Sequence, residues 1–196
     1  MLKPLPPIKG FLSDEVLIRQ ESFTYLSGKS AENATLSYRW WVPISYTDAD
    51  EKYFGRRNTQ PRLWLSPEKV QVSIATAISS ASWIVANVQG SGFYRVNYDE
   101  RNWRLLADQL RRHHKAIHVM NRAHLISDAF ALAAVDILPY STPFLMIKYL
   151  VEENHFVPWS SAFRALDYIG SMMQQTSHYG DYQVIRHHYQ DDSTGV

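Results

Sequence analysis

Hydrophobic residues follow two different spacings along this chain, and the change comes near residue 99. Residues 36–46 alternate between hydrophobic and other side chains, and shorter alternations recur at 70–74 and 94–98. A period of two is typical of a β-strand with one face on a core, and the alternating aromatic residues, Trp40 among them, are expected in that core rather than in a carbohydrate-binding platform. Turn-forming residues separate these stretches, so the pattern predicts a β-sandwich of about seven strands over residues 13–98.

From residue 99 onwards, hydrophobic residues recur at helical spacing. Asp99 is predicted to cap the first helix, because its carboxylate can accept a hydrogen bond from a free N–H group of the first turn. Further helices are predicted over residues 121–134, from Thr142-Pro143 to about residue 153, and from Pro158 onwards, with a last segment after Gly180. Amphipathic helices joined by short loops predict an αα-hairpin array over residues 99–196.

We refer to the junction of the two halves, at residues 98–100, as the seam. Residues 83–89 and 94–98 are predicted to be the strands of a hairpin just before it. Gly90-Ser91-Gly92 would be the turn, since glycine tolerates the positive φ of tight turns. The nucleophile elbow of hydrolases needs Gly-x-Ser-x-Gly between a strand and a helix, and this stretch lacks that pattern.

Four residues around the seam are predicted to be structural. Arg95 leaves the apolar face of its strand and is expected to pair with the helical half. Asn97 and Asp99 are expected to satisfy free backbone donors with their side-chain oxygens. Trp103, one turn into the first helix, is expected to pack back against the sandwich and tie the two halves together.

Composition excludes several classes of function. A formal net charge of +1 offers no clustered basic surface for nucleic acid, and no run approaches the roughly 18 to 20 apolar residues that span a bilayer. Cysteine is absent, which excludes disulfides, Cys-bound zinc and thiol catalysis within the chain. Pro4, Pro6 and Pro7 predict that residues 1–12 are a linker or a cut edge.

Two patterns remain as candidate sites. His114 and His118 are four residues apart, a spacing that can ligate zinc from one helix face. No acidic residue follows them in register, so a polar helix end is the favoured interpretation, and we predict no catalytic, cofactor-binding or metal-binding residue in this chain. Asn33-Ala34-Thr35 is an N-glycosylation sequon, which predicts a surface loop and a secretory route if it is used.

Five stretches resemble landmarks of the zinc aminopeptidase N family, the gluzincin metallo-aminopeptidases, and they occur in the family's order. They are QESF at 20–23, WWVPISYT at 40–47, GFYRVNYDERNW at 92–103, NRAHLISDAF at 121–130 and YLVEENHFVPW at 149–159. The resemblance implies an immunoglobulin-like β-sandwich followed by the first helices of an incomplete α-helical superhelical domain of the HEAT/ARM-like kind. These would be the third domain and the start of the fourth domain of the family.

The motifs that carry the family's chemistry, His-Glu-x-x-His and Gly-x-Met-x-Asn, are absent from this sequence. The resemblance therefore implies a non-catalytic fragment with no cofactor of its own. It places the zinc in the catalytic domain of a parent protein that removes N-terminal residues from peptides. The expected role of the fragment is structural, in shaping the substrate chamber and the domain interfaces.

The expected partners are the parent's own catalytic domain, peptide substrates through the parent, and a second copy through exposed helices. The resemblance implies the extracellular side of the plasma membrane or the secretory pathway, with the cytoplasm as the alternative location. The alternative function is a stand-alone module in which the loop at 47–61 binds a protein or a glycan, with no hydrolase role. A full-length transcript that encodes an upstream His-Glu-x-x-His would decide for the peptidase.

Overall fold

The computed structural model describes residues 15–21, 23, 39–51, 54–55, 57–68, 71–75 and 82–193. Within these residues, short strands come first: β1 (Glu15–Arg19), β2 (Val42–Ile44), β3 (Tyr46–Asp48), β4 (Leu63–Leu65), β5 (Gln71–Ala75) and β6 (Ile84–Ala86). The α-helices follow: α1 (Glu100–His113), α2 (Val119–Ala133), α3 (Ser141–Ile147), α4 (Phe156–Met173) and α5 (Tyr179–Ser193). The predicted order of strands and then helices is therefore confirmed.

The strands pair as antiparallel two-stranded ladders, β1 with β5, β2 with β4 and β3 with β6. Side chains of β1, β2 and β4 form a small hydrophobic cluster of Ile18, Val42, Ile44 and Leu65. Pro43 lies opposite Trp64 in the β2–β4 ladder, and proline cannot donate to a ladder hydrogen bond. These ladders are consistent with a β-rich first half, while the seven-stranded sandwich stays a prediction.

The hairpin predicted at 83–98 is wrong. β6 pairs with β3, not with residues 94–98. After β6 the chain enters a 3₁₀ helix at Val88–Gly90, and Asn87, Gln89 and Gly90 all have positive φ. This run of left-handed conformations turns the chain away from β6, because left-handed residues cannot continue a strand. Gly90 therefore tolerates a positive φ as predicted, but in a helical turn rather than in a hairpin.

Trp40 and Trp41 do not lie in the core. Their side chains are 52% and 63% exposed, although Val42 and Ile44 directly after them are buried. The side chain of Gln20 accepts a hydrogen bond from the backbone N–H of Trp40 at 3.0 Å and donates to its carbonyl oxygen at 3.2 Å. The backbone of Trp40 is thus bound from outside the β2–β4 ladder, and among the described hydrophobic positions of the alternation only Val42 and Ile44 are buried.

The first helix forms as predicted. The Asp99 carboxylate accepts a hydrogen bond from the backbone N–H of Asn102 at 2.7 Å, which caps the helix at a place where the N–H groups have no helical partner. Its buried face contains four hydrophobic residues at helical spacing, Trp103, Leu106, Ala107 and Leu110.

The later helices are also present, but they begin earlier than predicted. Tyr140 rather than Thr142 stands at the N-cap of α3, and α4 begins at Phe156, before Pro158. Each proline lies in the first turn, where its missing N–H has no intrahelical acceptor to lose. The third helix is shorter than expected, because α3 ends at Ile147 and the chain continues as a 3₁₀ helix, Lys148–Glu152.

The main hydrophobic core extends across the seam. Trp83, Val85, Val96 and Tyr98, from before residue 99, belong to the same cluster as the buried faces of α1, α2 and α4. The rings of Tyr98 and Trp103 meet edge to face, with 5.0 Å between their centroids. Within the described part of the chain, no helix has the length and hydrophobicity of a membrane span.

Candidate functional site

The first group of interacting polar residues lies beside the seam. The guanidinium of Arg95 donates to the Asp128 carboxylate of α2 at 2.9 Å, and the other carboxylate oxygen accepts from the backbone N–H of Val96 at 3.0 Å. We call Arg95, Val96 and Asp128 the seam node. Burial raises the pKa of Asp128 to about 6, although the Val96 N–H and Arg95 both act to lower it.

Asn97 and Trp103 lie together under the seam node. The indole N–H of Trp103 donates to the Asn97 side-chain oxygen at 3.1 Å, and both residues are buried. Asn102, one residue earlier on α1, forms two hydrogen bonds with the backbone of Ile84, each of 2.9 Å. The first turns of α1 are therefore bonded directly to β6 and to the segment before the seam.

A third asparagine shapes the turn after β6. The side-chain amide of Asn87 donates to the carbonyl oxygens of Gly92 at 2.9 Å and Tyr94 at 3.1 Å, and its oxygen accepts from the Gly92 N–H at 2.8 Å. Asn121 of α2 donates to the Asn87 carbonyl at 3.1 Å and accepts from the Gln89 N–H at 2.8 Å. We call Asn87 and Asn121 the asparagine clamp. Asparagine adopts left-handed backbone more readily than most residues, and that is the signal by which Asn87 could have been found.

The second node lies within the helices. Arg122 of α2 contacts both oxygens of Glu153, at 2.7 Å and 3.0 Å, and the side chains of the two residues are only 4% and 0% exposed. The Tyr149 hydroxyl donates to Glu153 at 3.2 Å, and the backbone N–H groups of Asn154 and His155 donate to it at 3.1 Å. We call Arg122, Tyr149 and Glu153 the helix node.

The carboxylate of the helix node is stabilised in its charged form. Burial by itself raises the pKa of a carboxyl group, but the hydrogen bonds and the charge of Arg122 outweigh it and lower the pKa of Glu153. Arg122 also donates to the Ile117 carbonyl at 2.7 Å. The node therefore connects the start of α2 with the turn that leads into α4, where the Trp159 indole N–H donates to the Glu153 carbonyl at 3.0 Å.

The histidine pair lacks the shared helix on which its candidate zinc spacing depends. His114 lies in a 3₁₀ helix, His114–Ala116, whereas His118 is the N-cap of α2 and accepts from the Met120 N–H at 3.3 Å. The chain bends between the two residues, so they do not share one helix face. No three His, Cys, Asp or Glu side chains among the described residues come together as metal ligands, and the described part of the chain does not fit the zinc that the family resemblance implies.

The described residues of the loop at 47–61 are held against the rest of the chain. Asp48 accepts from the N–H groups of Asp50 and Glu51 at 3.0 and 2.9 Å. The Phe54 ring stacks on Trp83 and His118, at centroid distances of 6.5 and 6.1 Å. An open cavity of about 580 Å³ lies beside Phe54, and it is lined by Phe54, Gln109, His113, Lys115, Ala116 and His118. Asn33 and the predicted linker at 1–12 lie outside the described residues.

Comparison with known proteins places both nodes and the clamp in one family segment. Residues 83–191 match the family model described as the ERAP1-like C-terminal domain. The chain is 37% identical over 181 residues to the thyrotropin-releasing hormone-degrading ectoenzyme of Rattus norvegicus, which covers 90% of this chain and 17% of that protein.

Two aminopeptidases show similar levels of identity. Aminopeptidase N of Plutella xylostella is 36% identical over 154 residues, which is 78% of this chain and 16% of that protein. Aminopeptidase N of Homo sapiens is 38% identical over 145 residues, which is 74% of this chain and 14% of that protein. The chain therefore spans only a small part of the length of the curated relatives that it matches.

Proposed function

This chain belongs to the ERAP1-like C-terminal domain family, and from that premise we propose that it is a non-catalytic part of a zinc-dependent aminopeptidase that removes N-terminal residues from peptides. The resemblance to the aminopeptidase N family is confirmed by the relatives. Their printed names, aminopeptidase N and hormone-degrading ectoenzyme, support a peptidase reaction for the parent. The zinc and the catalytic residues would lie in a part of the parent outside the described residues.

The proposed role of the chain is structural, and one observation carries it. The polar residues of the family landmarks, such as Arg95, Arg122 and Glu153, have their hydrogen bonds inside the chain, to one another and to the backbone. Groups that react with a substrate must reach a solvent-accessible cleft, whereas these groups are used in joining strands to helices and α2 to α4. Arg95, Asn97, Asp99 and Trp103 would act as the rigid connection at the seam.

We also propose the finer architecture that the family implies. Residues 13–98 would form the immunoglobulin-like β-sandwich, and residues 99–196 would form part of the superhelical, HEAT/ARM-like domain. The β-ladders and their separate hydrophobic cluster support the first assignment. The packing of α2 against both α3 and α4 supports the second.

The proposed partners and location follow from the same relatives. The chain would contact the parent's own catalytic domain and help to shape the chamber that receives peptides. The word ectoenzyme in the name of the rat relative supports the extracellular side of the membrane. Exposed side chains on α4 and α5, namely Tyr168, Met172 and Val184, support self-association of the purified chain.

The first experiment measures peptidase activity. The purified chain, with and without added zinc, is expected to release no naphthylamine from aminoacyl-naphthylamides. A chelator is expected to change nothing. Turnover by the pure chain that a chelator abolishes would overturn the non-catalytic assignment.

A second experiment tests the structural role in an active enzyme. In human aminopeptidase N, the matching segment is replaced by residues 83–191 of this chain, and Arg122→Met is compared with the exposed control Arg104→Ala. A structural role predicts that Arg122→Met lowers the yield of folded enzyme and leaves the KM of the folded fraction unchanged. A changed KM at normal yield would instead indicate substrate contact.

The alternative, a stand-alone protein- or glycan-binding module, is favoured by one observation. Trp41 and Trp64 of the β2–β4 region are 63% and 53% exposed, and exposed indole rings are common at binding surfaces. If this surface binds glycans, titration with oligosaccharides should change the tryptophan fluorescence, and Trp64→Ser should abolish the change.

A further inference from the structure

Phe93 has the most exposed of the large hydrophobic side chains in the described part of the chain. It is 110% exposed, so its ring contacts almost nothing in the structure. The residues on either side are turned the other way: Tyr94 is half-buried, and its ring lies where a side chain on Gly92 would otherwise stand. Burying an apolar ring that is held this far out in water would be favourable.

Hydrogen bonds hold the backbone on both sides of Phe93. The asparagine clamp bonds the backbone carbonyls of Gly92 and Tyr94, directly before and after Phe93, at 2.9 and 3.1 Å. Asn87 and Asn121 are themselves buried, and Asn121 ties the clamp to α2. The chain therefore presents the ring of Phe93 from a backbone that is fixed relative to the helices. Such preorganisation lowers the entropy cost of binding.

The surroundings of Phe93 indicate the chemistry that would fit it. Ser91 is exposed and uncharged. Arg95 is paired with Asp128 and is 31% exposed. An exposed aromatic ring with polar neighbours is a common anchor at interfaces. The complementary surface would be an apolar pocket that receives the ring.

The small area that the Phe93 ring can bury indicates where that pocket lies. A stable complex between separate molecules buries about 800 Å² on each partner, and one phenylalanine ring with its rim provides far less. A tethered partner needs less area, because a linked site is present at a high effective concentration. The relatives that this chain matches are several times longer than the chain, which spans 17% of the rat ectoenzyme.

We propose that Phe93 docks into an apolar pocket on another domain of the same polypeptide and so locks the seam region against it. This inference rests on the proposed function, in which the chain is one part of a larger aminopeptidase. The seam side of the chain, rather than only the helical surface, would then be an interface with the parent.

The test uses a single thiol. The chain has no cysteine, so Phe93→Cys introduces one reporter whose alkylation is followed by mass spectrometry. Glu100→Cys, also at an exposed position near the seam, is the matched control. The quantity compared is the alkylation rate of the Phe93→Cys variant divided by that of the Glu100→Cys variant. We expect this ratio to be at least about tenfold lower in the complete polypeptide than in the isolated chain. A docked thiol would react only when the interface opens locally.

A second variant separates docking from folding. Phe93→Ser should leave the thermal unfolding of the isolated chain unchanged, since the ring has almost no contacts there, and should lower the unfolding midpoint of the complete polypeptide. Phe93→Leu should restore most of the lost unfolding midpoint of the complete polypeptide. Equal relative alkylation rates in the two proteins would overturn the proposal, as would a transcript that encodes these 196 residues alone.

Two further outcomes are distinguishable. A dimer of the isolated chain that Phe93→Ser abolishes in sedimentation would assign Phe93 to a second copy and contradict the tethered pocket. Peptidase activity is measured on the same complete polypeptide. Protection of the thiol in the Phe93→Cys variant without any peptidase activity would support the docking and contradict the proposed function, so the two can fail separately.

Discussion

The seam node and the helix node use the same pair of groups, a guanidinium and a carboxylate, with opposite electrostatic results. In the helix node the pKa of Glu153 is lowered, and in the seam node the pKa of Asp128 is raised to about 6. For Asp128 the effect of burial outweighs the hydrogen bonds and the charge of Arg95, whereas for Glu153 the hydrogen bonds and the charge of Arg122 outweigh it.

The two carboxylates also differ in the number of hydrogen-bond donors. Glu153 receives two contacts from Arg122, one from Tyr149 and two from backbone N–H groups, whereas the described bonds to Asp128 come from Arg95 and the Val96 N–H. A buried carboxylate stays charged when its lone pairs are satisfied by hydrogen bonds, and not merely because a cation is near. The carboxylate of the helix node thus receives more hydrogen bonds than the carboxylate of the seam node.

The largest expected effect comes from removing the cation of the helix node. Arg122→Met leaves a buried carboxylate without its partner, which typically costs about 3–5 kcal/mol of unfolding free energy. The double variant Arg122→Met with Glu153→Leu should recover much of that loss, because no charge is then left unpaired. Urea unfolding measures both variants. A single variant as stable as the double one would mean that the buried carboxylate does not need Arg122.

The next effect tests whether the seam connects the two halves rigidly. Trp103→Phe keeps most of the ring but removes the N–H that donates to Asn97, and an unsatisfied buried polar group costs about 1–3 kcal/mol. Because one core cluster crosses the seam, the β and α circular-dichroism signals should shift together. If only the helical transition moves, the halves unfold independently.

The seam node should be less sensitive than the helix node. Arg95 is 31% exposed, so water can replace part of its interaction with Asp128, and Arg95→Met should cost about 1–2 kcal/mol. Arg104→Ala, which removes an exposed ion pair on α1, is the control and should change stability by about 0.5 kcal/mol or less. A cost for Arg95→Met as large as for Arg122→Met would remove the distinction between the nodes.

The last expected effect is a dependence on pH. Because the pKa of Asp128 is raised from 3.8 to about 6, the folded state holds its proton more tightly than the unfolded state. Its contribution to stability is present below pH 4 and is lost as the pH rises through 6. The pKa of Glu153 is lowered, so this group has the opposite effect on stability. Its contribution is present near neutral pH and is lost only as the pH falls into the acidic range.

Asp128→Asn isolates this dependence, since an amide cannot titrate. Urea unfolding at pH 4, 5, 6 and 7 should show a smaller loss of stability with rising pH in the variant than in the wild type. Identical slopes in the two proteins would show that Asp128 does not titrate in this range.

Much of the helical half could be predicted from the sequence. Asp99 has its capping role, and the stripe from Trp103 to Leu110 is buried as its spacing indicates. The landmarks at 121–130 and 149–159 contain Arg122 and Glu153, but the sequence did not identify either residue as part of a buried ion pair. Adjacent carboxylates such as Glu152 and Glu153 are expected in solvent, whereas Glu153 is buried. The cap and the stripe depend on the local helical period or on short motifs, and these can be read without knowing the fold.

The partners of these residues could not be predicted in the same way. Arg122 and Glu153 are 31 residues apart, and Asn87 and Asn121 are 34 apart. No local pattern specifies such pairs, since any buried arginine could in principle be satisfied by several carboxylates. The hairpin at 83–98 failed for the same reason: alternation identifies a strand-like stretch but does not say which strand lies beside it.

The sequence by itself determined where the period changes, where helices form and which motifs belong to the aminopeptidase N family. Each of these depends on residues within one or two turns of one another. The tertiary structure decided that β6 pairs with β3, that Trp40 and Trp41 are exposed, and that Phe93 is held outward by a buried asparagine. It also decided how many donors each of the two carboxylates receives, because hydrogen-bond satisfaction depends on groups that only folding brings together.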